Sequence, residues 1–235
     1  KLPVEVDELT QHVRKQFIPD KRVAIFDVDY RFPSRKEIIV KGATTSLDAK
    51  LALLGGLKES HYQITDSMML LPDSAALEGK TYGIVNLSVC NLRVEPDFSS
   101  EMTSQALLGM PVKVLQRDGW YRVQTPDDYI AWVHRVGVYP VTKQAYDEWN
   151  RADKVVVTSH YAFTYVNPDA TSQTVSDVVA GNRLKWLGTA GDYYRVAYPD
   201  GREAFVSKAA SMPEKEWKAA VKQDAQSIIR TSYTL

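Results

Sequence analysis

Apolar residues at helical spacing open the chain. Val6, Leu9, Val13 and Phe17 recur every three to four positions, and Pro19-Asp20 ends the run. The period then changes. Arg22–Tyr30 and Glu37–Ala43 are rich in β-branched and aromatic residues on either side of Phe32-Pro33-Ser34-Arg35, which predicts two strands and a turn. Thr45 or Ser46 can cap a helix through Leu57, with Gly55-Gly56 weakening its end. A third strand, Gln63–Leu71, closes the unit at Pro72-Asp73. The order over residues 1–76 is α-β-β-α-β.

Beyond the polar break Asp73–Lys80 the texture turns to short β runs punctuated by turn residues, the pattern of small barrels or sandwiches. An internal repeat organises it. Gly109-Met-Pro-Val-Lys-Val-Leu-Gln-Arg-Asp-Gly119 matches Gly181-Asn-Arg-Leu-Lys-Trp-Leu-Gly-Thr-Ala-Gly191. Trp120-Tyr121-Arg122-Val123 then matches Tyr193-Tyr194-Arg195-Val196 once Asp192 is counted as an insertion, and Pro126-Asp127 matches Pro199-Asp200. Ala131-Trp132-Val133 against Ala204-Phe205-Val206 closes both copies. Two all-β modules are expected at 80–140 and 154–210. Each is too small to bury a large core alone, so they should pack on one another and on the first unit. Thr142–Arg151 reads as a short helical connector, giving a 141–153 link.

The last stretch, 211–235, carries Pro213 at a helix start, Glu214 and Glu216 in the first turn, and an apolar stripe of Trp217, Val221, Ala225, Ile228 and Ile229. Nothing terminates this helix, so it reads as the opening of a further domain. The chain also starts at Lys1-Leu2-Pro3 with no initiator Met, so removal of an upstream segment is expected.

Composition narrows the function. Lys and Arg number 29, as do Asp and Glu, so no summed field draws in nucleic acid or an anionic membrane. No run approaches the roughly 18 apolar residues that a membrane helix needs. The single cysteine, Cys90, permits no intrachain disulfide. It lies in an apolar strand, where a free thiol behaves as a small hydrophobe rather than a nucleophile. His12, His61, His134 and His160 lack metal-helix spacing, so no metal is expected.

The first unit's α-β-β-α-β order resembles the small BON-type α+β fold. Asn91-Leu92-Arg93 with Pro96, then Gly109-Met110-Pro111-Val112, Gly119-Trp120-Tyr121 and Tyr129-Ile130-Ala131-Trp132-Val133, resemble a bacterial SH3 (SH3b) domain. The second copy is degenerate, with Ala162-Phe163-Thr164-Tyr165 where Asn-Leu-Arg is expected. A small domain, two SH3b modules and a helix are similar to the secreted NlpC/p60 cysteine peptidases, in particular the γ-D-glutamyl-L-diamino acid endopeptidases that trim peptidoglycan stem peptides. In that family the helix leads into a papain-like domain with an Asp-Cys-Ser-Gly nucleophile motif, which is absent here.

The resemblance implies an exported protein of the periplasm or cell envelope, with no cofactor. Its partners would be the stem peptide L-Ala-γ-D-Glu-diamino acid and a catalytic domain in cis. It also implies that the first SH3b helps close the pocket for the free N-terminal L-Ala. There a carboxylate pairs with the ammonium and a Tyr shapes the pocket, so a blocked amine would leave the carboxylate unpaired. The matching candidates are Glu95 and Tyr129, with Glu101 as the substitute carboxylate. The alternative is a noncatalytic tandem SH3b protein that binds cell-wall peptide or a protein partner.

Aromatic residues can also build a peptide or sugar platform from Trp120, Tyr121, Tyr129 and Trp132. Alternation buries one of Trp120 and Tyr121, and Trp132 and Phe205 read as core. Arg122 and Arg195 read as structural surface cations. Asp27 and Asp29 share a strand face, as a hydrolase pair or as solvated charges.

Overall fold

A computed structural model describes residues 2–232, with side chains described through Gln223. Ala225, Ile228 and Ile229 of the expected terminal stripe therefore lie outside the described side chains. The first unit comprises α1 (Val4–Phe17), β1 (Phe26–Ser34), β2 (Glu37–Thr44), α2 (Leu47–Glu59) and β3 (Gln63–Leu70). β1 pairs antiparallel with β2, and β2 pairs parallel with β3. The Ser46 hydroxyl accepts the Ala49 amide at 3.1 Å and so caps α2. This helix runs through Gly55-Gly56 rather than fraying there, because Gly56 lets α1 approach. A Cβ at that position would stand 2.7 Å from a Leu9 methyl.

Seven strands follow: β4 (Tyr82–Val85), β5 (Val89–Arg93), β6 (Met102–Leu107), β7 (Pro111–Asp118), β8 (Trp120–Gln124), β9 (Ile130–His134) and β10 (Val138–Val141). Helix α3 (Lys143–Arg151), capped by Thr142, leads to seven more. They are β11 (Lys154–Val157), β12 (Tyr161–Tyr165), β13 (Thr174–Val179), β14 (Arg183–Ala190), β15 (Tyr193–Ala197), β16 (Glu203–Ser207) and β17 (Ser211–Pro213), before α4 (Glu214–Ser232).

The two seven-stranded sheets have one topology. The first is ordered β10-β4-β7-β8-β9-β5-β6, and the second, read from its β17 edge, is β17-β11-β14-β15-β16-β12-β13. Register shifts recur at matching positions, Val114/Gln116 with Trp186/Gly188 and Leu92/Arg93 with Thr164/Tyr165. Both ladders are open, running from edge to edge, so the closed barrels expected from the sequence are not what the hydrogen bonds trace.

Period-2 alternation fills each core. Val112, Val114, Tyr121, Val123, Ala131 and Val133 pack inside the first sheet, and Leu184, Val196, Tyr198, Ala204 and Val206 inside the second. The units are then joined by different means. Ile25, Ala43, Leu71 and Leu115 form an apolar seam between the first unit and the first sheet. The seam between the sheets is polar. Fully buried Asn182 donates to the Ser88 carbonyl at 2.8 Å, Ser88 donates to Asp177 at 2.6 Å, and Asn86 donates to Asp200 at 3.0 Å. Leu108 crosses this seam into the second core, and its carbonyl accepts the Arg183 amide at 2.9 Å.

Candidate functional site

The β8–β9 hairpin and the loop between β5 and β6 carry most of the candidate side chains. Tyr121 and Val123 point inward, so Trp120, Arg122 and Gln124 face outward, opposite His134, Trp132 and Ile130 on β9. Three cross-strand pairs thus share one face. At one end the Trp120 and His134 rings lie 5.1 Å apart, and Phe98 packs on them at 4.8 and 4.9 Å. In the middle the Arg122 guanidinium sits 5.4 Å above the Trp132 ring. At the far end the first unit docks: the Ile130 amide donates to the Arg22 carbonyl at 2.8 Å, and Gln124 donates to the Val23 carbonyl at 3.2 Å.

This geometry keeps Trp132 buried, as read, but corrects the core reading of Phe205, which is only half-buried. The small neighbours Ala131, Val133, Ala204 and Val206 take the inward phase, which turns both aromatics to the opposite face. Trp132 is 8% exposed because Arg122 covers it.

The loop between β5 and β6 is held by its own side chains. Ser100 Oγ accepts the Glu95 amide at 2.9 Å, and Asp97 Oδ1 accepts the Ser99 amide at 2.7 Å. The Ser99 hydroxyl also donates to Asp97 Oδ1, at 2.6 Å, and this bond first and the amide bond second lower the Asp97 pKa. From this turn Glu95 lines two clefts and Phe98 lines a third pocket.

The first cleft, of about 360 Å³, lies between α1, the segment entering β1, and the hairpin. Glu95, Tyr129, Arg122, Asp27, Arg14 and Lys21 are among its lining residues. The second, of about 620 Å³, opens on the other side, where Lys41, Gln116, Asp118 and Trp132 join the same Asp27, Glu95 and Arg122. Arg122 Nη1 donates to Asp27 Oδ2 at 2.7 Å, a pair that ties the first unit to the first sheet. Arg22, which lines the 360 Å³ cleft, holds the Asp20 carboxyl down at about 2 through its side-chain hydrogen bond.

The four candidate residues are distributed unequally. Glu95 and Tyr129 line one cleft, and Tyr129 also packs partly on the first core. Trp120 lies across the loop, in the 190 Å³ pocket with Phe98, His134, Asn91 and Arg93. Glu101 is exposed and lines none of these three; its carbonyl accepts the Val94 amide at 3.1 Å. The aromatic platform is therefore Trp120, Phe98 and His134 rather than one containing Tyr121, which is buried.

Asp27 is engaged by Arg122 instead of pairing with Asp29 for catalysis. Cys90 is buried, and burial alone pushes its thiol up to about 12, which rules out a ready thiolate. Gly137 packs against it so closely that a Cβ there would stand 2.2 Å from its Sγ. Among the described residues, no three or more His, Cys, Asp or Glu side chains gather as a metal site would.

Sequence reasoning missed Phe98, His134 and the Asp27–Arg122 pair. One signal was available. Glu95-Pro96-Asp97-Phe98-Ser99-Ser100 matches Asn167-Pro168-Asp169-Ala170-Thr171-Ser172 at the repeat offset, and the second loop forms the same turn through Asp169 and Ser172. The shared Pro-Asp, the hydroxyl at Ser99 or Thr171 and the last Ser build the loop, and the two residues that change in character, Glu95 and Phe98, are those that line pockets.

Residues 92–136 match the bacterial dipeptidyl-peptidase SH3 domain. Among solved structures the chain is similar to an NlpC/P60 family protein from Bacillus cereus. That match is 22% identical, with a TM-score of 0.47, over 56% of this chain and 55% of that one. It is also similar to an NlpC/P60 endopeptidase from Photobacterium damselae subsp. piscicida, 13% identical with a TM-score of 0.41, over 58% of this chain and 33% of that one. NlpC2 from Trichomonas vaginalis is 14% identical with a TM-score of 0.23, over 56% and 47%. No curated protein matches. The chain spans about half the length of the Bacillus cereus protein.

Proposed function

We propose that this chain is the substrate-recognition and targeting region of an exported peptidoglycan peptidase, acting for a papain-like catalytic domain in the same protein. The substrate is a stem peptide with a free N-terminal L-Ala, cut at the γ-D-Glu-diamino acid bond. Glu95 receives the ammonium and Tyr129 shapes the wall beside it. The observation that supports this best is their convergence on one cleft within residues 92–136, the stretch that matches the bacterial dipeptidyl-peptidase SH3 domain.

The physical basis is selectivity by desolvation. A carboxylate in a cleft gains from an ammonium and loses when the bound group cannot donate, so N-acetylation costs the charge-assisted bond and strands the carboxylate. The second module has Asn167 and Arg202 at the equivalent positions and cannot read an amine this way. The protein is envelope-located in this reading, and no described helix is long and apolar enough to cross a membrane.

Calorimetric titration of the 235-residue chain with L-Ala-γ-D-Glu-diamino acid peptide tests it. Binding at least about tenfold tighter than that of the N-acetylated peptide is expected, with the preference lost in Glu95→Gln. Equal binding of the two peptides refutes the amine reading. Binding only to polymeric wall would favour the noncatalytic tandem SH3b alternative.

A further inference from the structure

The 360 Å³ cleft holds more positive than negative charge for a site that takes only an ammonium. Arg22 is neutralised by Asp20, which leaves Arg14, Lys21 and Arg122 against Asp27 and Glu95. Arg122 stands at the centre of this imbalance, because it also lines the 620 Å³ cleft with Lys41. Its side chain is 20% exposed, and among the described residues its guanidinium makes one hydrogen bond, from Nη1 to Asp27. Nε and Nη2 are left as donors in a fixed planar fork, held in place by the Trp132 ring beneath.

The repeat supplies an internal control. Arg195, at the matching position, spends Nε and Nη2 together on Glu203 of its own sheet. The residue equivalent to Glu203 in the first module is Ile130. The first module thus lacks the neighbouring carboxylate, and the two donors that its counterpart satisfies internally remain open on a cleft wall. A fork of this kind matches a carboxylate.

We infer that Arg122 is a carboxylate-binding residue, and that the cleft reads a ligand carrying an ammonium and a carboxylate together. The identity of the ligand rests on the function proposed above. In a γ-linked D-Glu the α-carboxylate is free, one residue away from the N-terminal ammonium of L-Ala, so one peptide offers both charges at dipeptide spacing. Glu95 takes the ammonium and Arg122 the carboxylate. Asp27 then competes with the ligand for Arg122, holding the guanidinium in the empty cleft and yielding part of it on binding.

The test uses the whole chain and two peptides, L-Ala-γ-D-Glu-diamino acid and the same peptide with the D-Glu α-carboxylate amidated. The carboxylate form should bind about tenfold tighter, the effect of one charge-assisted hydrogen bond. Arg122→Gln should erase that difference and retain the preference for a free amine over an acetylated one. Asp27→Asn should tighten binding of the carboxylate form about threefold and leave the amidated form unchanged, a gain that damage to the fold cannot produce. Equal binding of the two peptides by the unaltered chain, or weaker binding by Asp27→Asn, overturns the assignment while the amine preference still stands. If neither peptide binds, both the assignment and the proposed function fall.

Discussion

The two seven-stranded sheets share their strand order, their bulges and their loop turns, yet their outward faces carry different side chains. On β8 and β9 the outward positions are Trp120, Arg122, Trp132 and His134; on β15 and β16 they are Tyr193, Arg195, Phe205 and Ser207. Phe98 and Glu95 become Ala170 and Asn167, and Tyr129 becomes Arg202. Arg122 reaches 95 residues back in sequence to Asp27, whereas Arg195 closes on Glu203 eight residues ahead. Turn residues and core valines such as Val123 and Val196 persist in both copies, while most outward residues diverge and the shared Arg122 and Arg195 take different partners.

The largest difference between the copies is expected at a shared turn. Gly109 and Gly181 both have positive φ, but a Cβ on Gly109 would stand 2.1 Å from the Arg183 backbone carbonyl, whereas one on Gly181 meets a Leu107 methyl at 2.9 Å. Gly109→Ala should cost roughly 3 kcal/mol, because a backbone at the sheet–sheet seam must move. Gly181→Ala should cost roughly 1–2 kcal/mol of backbone strain. Urea denaturation of both variants measures this, and equal losses would show that the seam is not rigid.

The next difference is in charge. Lys154 stands where the first module has Tyr82; it is buried, and its ammonium donates to the Trp149 and Ala152 carbonyls at the end of α3. Burial pushes it down to about 8, below its ordinary value of 10.5. The folded state therefore sheds this proton before the unfolded chain does. Stability should rise with pH between about 8 and 10.5, by up to about 1.4 kcal/mol per unit. Lys154→Met should remove that slope, and subtracting its denaturation curves from those of the unaltered protein isolates the effect from tyrosine titration. A difference curve that is flat or falls with pH contradicts the assignment.

Arginine replacement separates the copies further. Arg122→Gln removes a cation–π contact and one of the links to the first unit, for about 1 kcal/mol, while Arg195→Gln breaks an exposed pair for no more than about 0.5 kcal/mol. Thermal unfolding of the two variants ranks them; a larger loss at Arg195 would reverse the comparison. Smallest of all is the response of Cys90, whose counterpart is Ala162. Thiol labelling of the native chain should be negligible and appear only on denaturation, and labelling at native rates would mean that the strand opens.

Much of this was legible in the residues. The Gly109/Gly181 match pointed to two copies of one all-β module, and the structure shows one strand order in both. Thr45 or Ser46 is expected to cap α2, and Ser46 does so. The phase of Ala131-Trp132-Val133 was not legible, because an apolar triplet fits either face and only packing selects the smaller residues for the interior. The Asp27–Arg122 pair was not legible either. An exposed strand carboxylate carries no local sign of its partner, and the pairing arises only when Ile25, Ala43, Leu71 and Leu115 bring the first unit onto the sheet. Glu95 and Tyr129 were reached through family resemblance, whereas the loop that aims Glu95 was written in the Pro-Asp repeat and went unread.

The most direct measurement is a titration of the stem peptide into the isotope-labelled chain, followed by backbone amide shifts. The account predicts saturable shifts confined to the cleft of Glu95, Arg122 and Tyr129 and to the facing Asp27 strand, with Asn167, Arg195 and Arg202 unmoved. Shifts at the second module's equivalents, or none at the first, would contradict it.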